Sequence, residues 1–191
     1  MFETYRGVKT IHFTNAQFAV DSFHVVKNVN ELLNKLRISI MKSYDKNTEE
    51  YYLLNKFSWL LLLDSVNVKE NKPRYNRKLK RYINYPQILD KMLKIKPQLK
   101  EAYELKEDYL LFNQRSNVDN ARESLAEQVA AFQASSIPSF QNFSNTLISF
   151  FNEIVNSFVL IEGKRLSNGQ IESLNRRMII TAKQNHLYAY N

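Results

Sequence analysis

Ala19-Val20-Asp21-Ser22-Phe23-His24-Val25-Val26 is where the periodicity of this sequence changes. Residues 17–20 are short and β-prone, bounded by a turn expected at Asn15, and they read as a strand. From Phe23 onward the apolar positions fall into helical step. Val25, Val29, Leu32, Leu33, Leu36 and Ile40 lie on one stripe. Asp21 stands at the junction, and two roles are open to it. It can project from a strand end into a cleft, or it can cap the helix that follows. His24, three residues on, reads more readily as a packed or capping histidine than as a ligand.

Working outward, most of the chain is helical in pattern. Phe2, Tyr5, Val8 and Ile11 predict a helix over 2–13. Further helices are expected over 49–64, 86–95, 97–113 and 118–135, with Pro97 at a first-turn position. The clearest amphipathic segment is 138–161. There Phe140, Phe143, Leu147, Phe150, Phe151, Ile154, Phe158 and Ile161 recur at threes and fours. An aromatic stripe at this spacing is read as core. The acids between 101 and 128 are read as a solvent face.

Composition agrees with long helices. The 191 residues contain only 3 Gly and 4 Pro, while 12 Phe and 11 Tyr suffice for a packed core. The absence of cysteine excludes disulfides and thiolate zinc sites. The start lacks a signal peptide's apolar region, and the longest greasy run, residues 57–63, is too short to span a bilayer. A soluble, cytoplasmic protein is expected. The net charge of +8 suits a polyanionic partner, although charge alone is a weak signal.

The charge is concentrated in one place. Lys69, Lys72, Arg74, Arg77, Lys78, Lys80 and Arg81 stand against a single acid, Glu70, with Tyr75 and Tyr82 interleaved. A solvated loop or helix face and a phosphate-contacting strip weigh about equally here. Lys78 and Arg81 are the DNA-contact candidates of this strip.

A second informative segment is Lys164-Arg165-Leu166-Ser167-Asn168-Gly169-Gln170-Ile171-Glu172-Ser173-Leu174-Asn175. Ser167 and Gln170 have capping-box spacing, and Leu166 with Ile171 has that of a hydrophobic staple. A helix therefore starts here. Glu172, Asn175 and Arg176 share one of its faces. An ordinary Glu there is a first-turn acid favoured by the helix dipole. Lys164, Arg165, Arg176 and Arg177 surround this one with cations. A carboxylate within a cationic surface is what metal-dependent chemistry on a phosphodiester requires.

Taken together, the two segments resemble the DDE transposases of the ISL-three family of insertion sequences. The second catalytic Asp of that family sits in a pattern like Asp21-Ser22-Phe23-His24-Val25-Val26. Its catalytic Glu sits in a pattern like Arg165 through Asn175. Tyr51-Tyr52-Leu53-Leu54, Tyr75-Asn76-Arg77-Lys78-Leu79 and Glu101-Ala102-Tyr103-Glu104-Leu105-Lys106-Glu107 look familiar as well.

The resemblance implies an α/β fold by descent, a partial ribonuclease-H-like core in a chain that is itself mostly α. It places that core at 1–44 and 161–191, around a helical insertion at 45–160. It implies transposition by phosphoryl transfer with Mg²⁺, Asp21 and Glu172 being catalytic metal ligands. Arg165, Asn168, Asn175, Arg176 and Arg177 join Lys78 and Arg81 as candidates for contact with double-stranded DNA. A homo-oligomer or a full-length transposase is an expected partner; a membrane is not.

Two departures from the family bear on activity. The family's first Asp precedes a segment similar to Met1-Phe2-Glu3-Thr4-Tyr5, so the chain is expected to begin just after that Asp. Met178-Ile179-Ile180-Thr181-Ala182-Lys183 is apolar where relatives carry cations. Two of three carboxylates cannot hold two ions in the geometry of in-line displacement. The polypeptide is expected to be inactive alone. The alternative is a non-catalytic helical module that binds DNA or assembles with a transposase. A protein of the membrane surface is a weaker third reading, because no exposed apolar face flanks the basic strip.

Overall fold

The computed structural model describes residues 19–161 and 164–165. Eight α-helices and two short antiparallel ribbons make up the described residues. Helix α1 is Ser22–Lys42, α2 Glu49–Lys56 and α3 Ser58–Leu62. Strands β1, Arg74–Asn76, and β2, Arg81–Ile83, form a hairpin. Then follow α4, Tyr85–Leu93; α5, Pro97–Arg115; α6, Ala121–Gln133; α7, Pro138–Ser149; and α8, Phe151–Asn156. Strands β3, Leu160–Ile161, and β4, Lys164–Arg165, pair antiparallel. The sheet of a ribonuclease-H-like core is not among the described residues.

Helix α5 organises the packing. It lies against α1, α4 and α6; α6 in turn carries α7 and α8, while α2 and α3 pack on α1. The expected α1 stripe is observed in part. Val25, Val29, Leu33 and Ile40 are buried, whereas Leu32 and Leu36 only flank the core. A buried cation, Arg37, shares the inner face.

Arg37 bears on the expected helix 49–64, which is two helices broken at Phe57. The break leaves the last carbonyls of α2 without intrahelical donors. Arg37 Nη1 donates to the Leu54 carbonyl at 2.7 Å, and its Nε donates to Asn34 Oδ1 at 2.8 Å. An apolar pattern cannot show such a break, because Leu60 and Leu61 stay buried on both readings.

The expected helix 138–161 is likewise divided. It turns at Phe150, ends as α8 at Asn156 and passes into β3. The core reading of its aromatic stripe is correct all the same: Phe140, Phe143, Phe150 and Phe158 are buried. Phe132 stacks on Phe140 at 5.9 Å, and Phe112 meets Phe158 at 5.2 Å. Burying each such side chain contributes about 1.5–3 kcal/mol.

Local chemistry sets the other boundaries. Thr48 caps α2 through the Tyr51 N–H. Asn84 and Gln87 form a reciprocal capping box on α4, at 3.0 and 3.1 Å. Pro97 opens α5 as expected. Two acids read as solvent-facing are engaged instead. Glu101 accepts from the Ser135 hydroxyl at 2.6 Å and the Ser136 N–H at 2.7 Å, which ties α5 to the start of α7. Glu107 pairs with the buried Lys106 and accepts from the Ser65 N–H at 3.0 Å. The expected helix over 2–13 and the helix of Glu172 lie outside the described residues.

Candidate functional site

Asp21 is an N-cap. Its backbone is extended (φ −60°, ψ 125°), and Oδ1 accepts from the Phe23 N–H at 2.9 Å. The His24 N–H donates to the Asp21 carbonyl at 3.0 Å, and the His24 ring meets Phe23 edge-on at 5.7 Å. Residues 19–20 carry no strand pairing, so the strand expected over 17–20 is absent from its described half. Val20, itself buried, donates its N–H to the Glu153 carbonyl of α8 at 3.0 Å. This bond sets Asp21 beside α8.

Arg165, from the second motif, reaches the same place. Its Nε donates to the Ser157 carbonyl at 3.3 Å, Nη1 to the Asn113 carbonyl at 2.7 Å, and Nη2 to the Ser157 hydroxyl at 3.4 Å. Its guanidinium carbon lies 3.8 Å from the centroid of the Phe158 ring. The carbonyls belong to the ends of α5 and α8, where unsatisfied acceptors and the helix dipole both favour a cation. Burial lowers the pKa of Arg165, while Tyr109 and the nearby Asp21 carboxylate act in the opposite direction. The guanidinium remains charged in any case. Thus Asp21 and Arg165, distant in sequence, converge on residues 153–158. Glu172, Asn168, Asn175, Arg176 and Arg177 lie outside the described residues.

Asp21 offers this place one carboxylate. Among the described residues no group of three or more His, Cys, Asp or Glu is arranged to hold a metal ion. The described residues do not by themselves make a metal site.

Lys78 and Arg81 sit elsewhere, on the β1–β2 hairpin. Of the basic strip, Lys69 and Lys72 lie in the irregular segment before β1, Arg77, Lys78 and Lys80 in the turn, and Arg74 and Arg81 on the strands; all seven are exposed, as a solvated loop would have them. Asn76 Oδ1 accepts the N–H groups of Lys78 and Leu79 at 3.0 and 3.1 Å, and Lys80 takes a left-handed φ of 50°. Together these close the turn. The strands pair Arg74 with Ile83, Tyr75 with Tyr82 and Asn76 with Arg81.

Because side chains alternate across a ribbon, its two faces differ. One is docked. Ile83 is buried, Asn76 exchanges hydrogen bonds with the Tyr52 hydroxyl, and Arg81 pairs with Glu49 at 3.5 Å. The other carries Tyr75 and Tyr82, 54% and 72% exposed, with ring centroids 5.4 Å apart. The pairing was not read from sequence. The signal for it was the repeated cation-Tyr triplet, Arg74-Tyr75-Asn76 and Arg81-Tyr82-Ile83, around Arg77-Lys78-Leu79-Lys80.

Between this hairpin and α2 runs a groove of about 500 Å³. Lys56, Arg74, Arg77 and Lys78 contribute to its lining, and among the described residues no Asp or Glu does. Among the described residues, no helix is long and apolar enough to cross a membrane.

No curated protein and no solved structure matches the chain. The family model DDE_Tnp_ISL3, described as Transposase, matches residues 1–185. That span takes in both motif segments and everything between them, and so the chain belongs to the ISL-three family of DDE transposases.

Proposed function

We propose that this chain is part of a transposase catalytic domain whose chemistry is DNA cleavage and strand transfer in insertion-sequence transposition. The match over residues 1–185 carries this reading. The convergence of Asp21 and Arg165 on one short segment supports it, because the two motifs of a single site must meet in space. Asp21 and Glu172 are assigned as catalytic carboxylates and ligands of Mg²⁺. Bound there, Mg²⁺ would supply Lewis-acid activation of an attacking hydroxyl and charge stabilisation at a leaving oxygen, with Asp21 and Glu172 as the residues that would hold it. Residues 1–44 and 161–191 are assigned to a ribonuclease-H-like core, and 45–160 to its helical insertion. The protein would act in the cytoplasm, on the nucleoid.

Lys78, Arg81, Asn168, Asn175, Arg176 and Arg177 are assigned to DNA contact. Arg165, whose guanidinium already donates to protein acceptors, is assigned to anchoring the start of the second motif on α5 and α8. These 191 residues match two carboxylates of the triad, and we assign them no activity alone. The experiment is Mn²⁺ binding followed by electron paramagnetic resonance, together with a Mg²⁺-dependent cleavage assay. Weak Mn²⁺ binding lost in both Asp21→Ala and Glu172→Ala, without cleavage, is expected. Binding indifferent to both substitutions would sink the site assignment, and cleavage by the chain would sink its inactivity.

The cationic hairpin supports a second reading, a non-catalytic module that binds DNA or assembles with a full-length transposase. Steeply salt-dependent duplex binding, in a chain whose Mn²⁺ binding ignores Asp21, would favour it.

A further inference from the structure

We infer that the groove between the β1–β2 hairpin and α2 holds unpaired DNA, with a base stacked on Tyr75. The inference rests on the DNA reading above but asks more of it, because a duplex needs no ring to stack on.

Three observations carry it. The first is charge. Arg74, Arg77 and Lys78 form no ion pair among the described residues, whereas Arg81 and Lys91 share Glu49. A lining with four cations and no acid suits a phosphate backbone and no neutral ligand. The mixed pocket beside it, between α2 and α4, holds Glu49 and Glu50 as well as Lys91 and Lys94 and lacks this bias.

The second is aromatic surface. Tyr52, Phe57, Tyr75 and Tyr85 also line the groove. Tyr75 is half exposed at its rim and braced edge-on by Tyr82, which leaves a ring face for a base. Cations tracking a backbone beside aromatic faces are the physical features of a single-strand site. An acidic peptide would use the cations and have no use for the rings.

The third is rigidity. The ribbon is held by the Asn76–Tyr52 hydrogen bonds and by buried Leu79 and Ile83. The stacking ring is therefore placed before the ligand arrives, and little ordering cost is left at binding.

The test is fluorescence anisotropy with labelled oligothymidine and a blunt duplex of equal length, on the full 191-residue chain over a range of salt. Tyr75→Ala is expected to weaken oligothymidine binding about tenfold and to leave duplex binding nearly unchanged. Tyr75→Phe, which keeps the ring, restores it. The pair Arg77→Gln and Lys78→Gln weakens both ligands and lowers the single-strand salt slope by roughly 0.7 per cation. Equal losses on both ligands in Tyr75→Ala, or none on either, would overturn the inference while leaving the DNA reading intact. Displacement of oligothymidine by polyglutamate at equal charge, in a manner indifferent to Tyr75, would assign the groove to an acidic peptide. Failure to bind either DNA would overturn both readings.

Discussion

Arg165 Nη1 donates to the carbonyl of Asn113 at 2.7 Å, across 52 positions of sequence. The bond joins β4, where the second motif begins, to the C-terminal end of α5. With the Ser157 contacts it makes one side chain answer for the open ends of α5 and α8. The end of α5 is thereby tied to the place where Asp21 and Arg165 converge.

Arg165→Ala leaves the Asn113 and Ser157 carbonyls short of a donor and uncovers one face of Phe158. A loss of about 2 kcal/mol in urea-denaturation stability is expected. Arg165→Lys keeps the charge but not the planar fork that meets two carbonyls and lies on a ring, so it should recover less than half. Full recovery by Lys would mean that charge alone matters.

Arg37 performs the same service for the Leu54 carbonyl at the break between α2 and α3. Arg37→Ala strands that buried acceptor and opens a void beside Met41, at a cost of about 1–3 kcal/mol. Amide hydrogen exchange should speed first in α2 and α3. Uniform acceleration throughout the domain would argue against a local role.

Asp21 carries two roles that substitution separates. Asn caps a helix about as well as Asp, so Asp21→Asn should leave the melting temperature nearly unchanged. Asp21→Ala should cost about 1 kcal/mol. Any Mn²⁺ affinity of the site should fall in both variants, because the amide has lost the charge. A melting temperature that falls equally in both would show that the carboxylate's charge, not its cap, stabilises this end of α1.

Glu101 gives the clip between α5 and α7 a pH dependence. Burial pushes its pKa up, but the hydrogen bonds from the Ser135 and Ser136 hydroxyls and the Ser136 N–H outweigh burial, and the net shift is downward from 4.5. A carboxylate with a depressed folded pKa stabilises the fold above its unfolded value, and that stabilisation disappears as pH falls through the folded one. Stability should therefore be flat above about pH 6 and decline below 4.5. Glu101→Gln should flatten part of the decline, as read by thermal melts across pH. An unchanged acid limb would assign the decline to other carboxylates.

Periodicity alone located most of the helices. Pro97, the α1 stripe and the Phe ladder of 138–158 were legible because burial of one face repeats every three or four residues, whatever that face packs against. The lineage was legible for another reason: Asp21 through Val26 and Arg165 through Asn175 are specific strings of side chains, and strings survive without a structure.

Tertiary structure decided the rest. The breaks at Phe57 and Phe150 leave the apolar pattern intact, and the first sits beside Arg37, a partner distant in sequence. The hairpin of 74–83 hid inside a run of cations, since three-residue strands show almost no alternation; its Asn76–Tyr52 and Ile83 contacts come from folding. Asp21 had two readings because an N-cap and a strand end share one local sequence. Only the folded chain shows that it is a cap, through the Phe23 N–H on its carboxylate, set beside the arginine of the other motif by the Val20 bond to the Glu153 carbonyl.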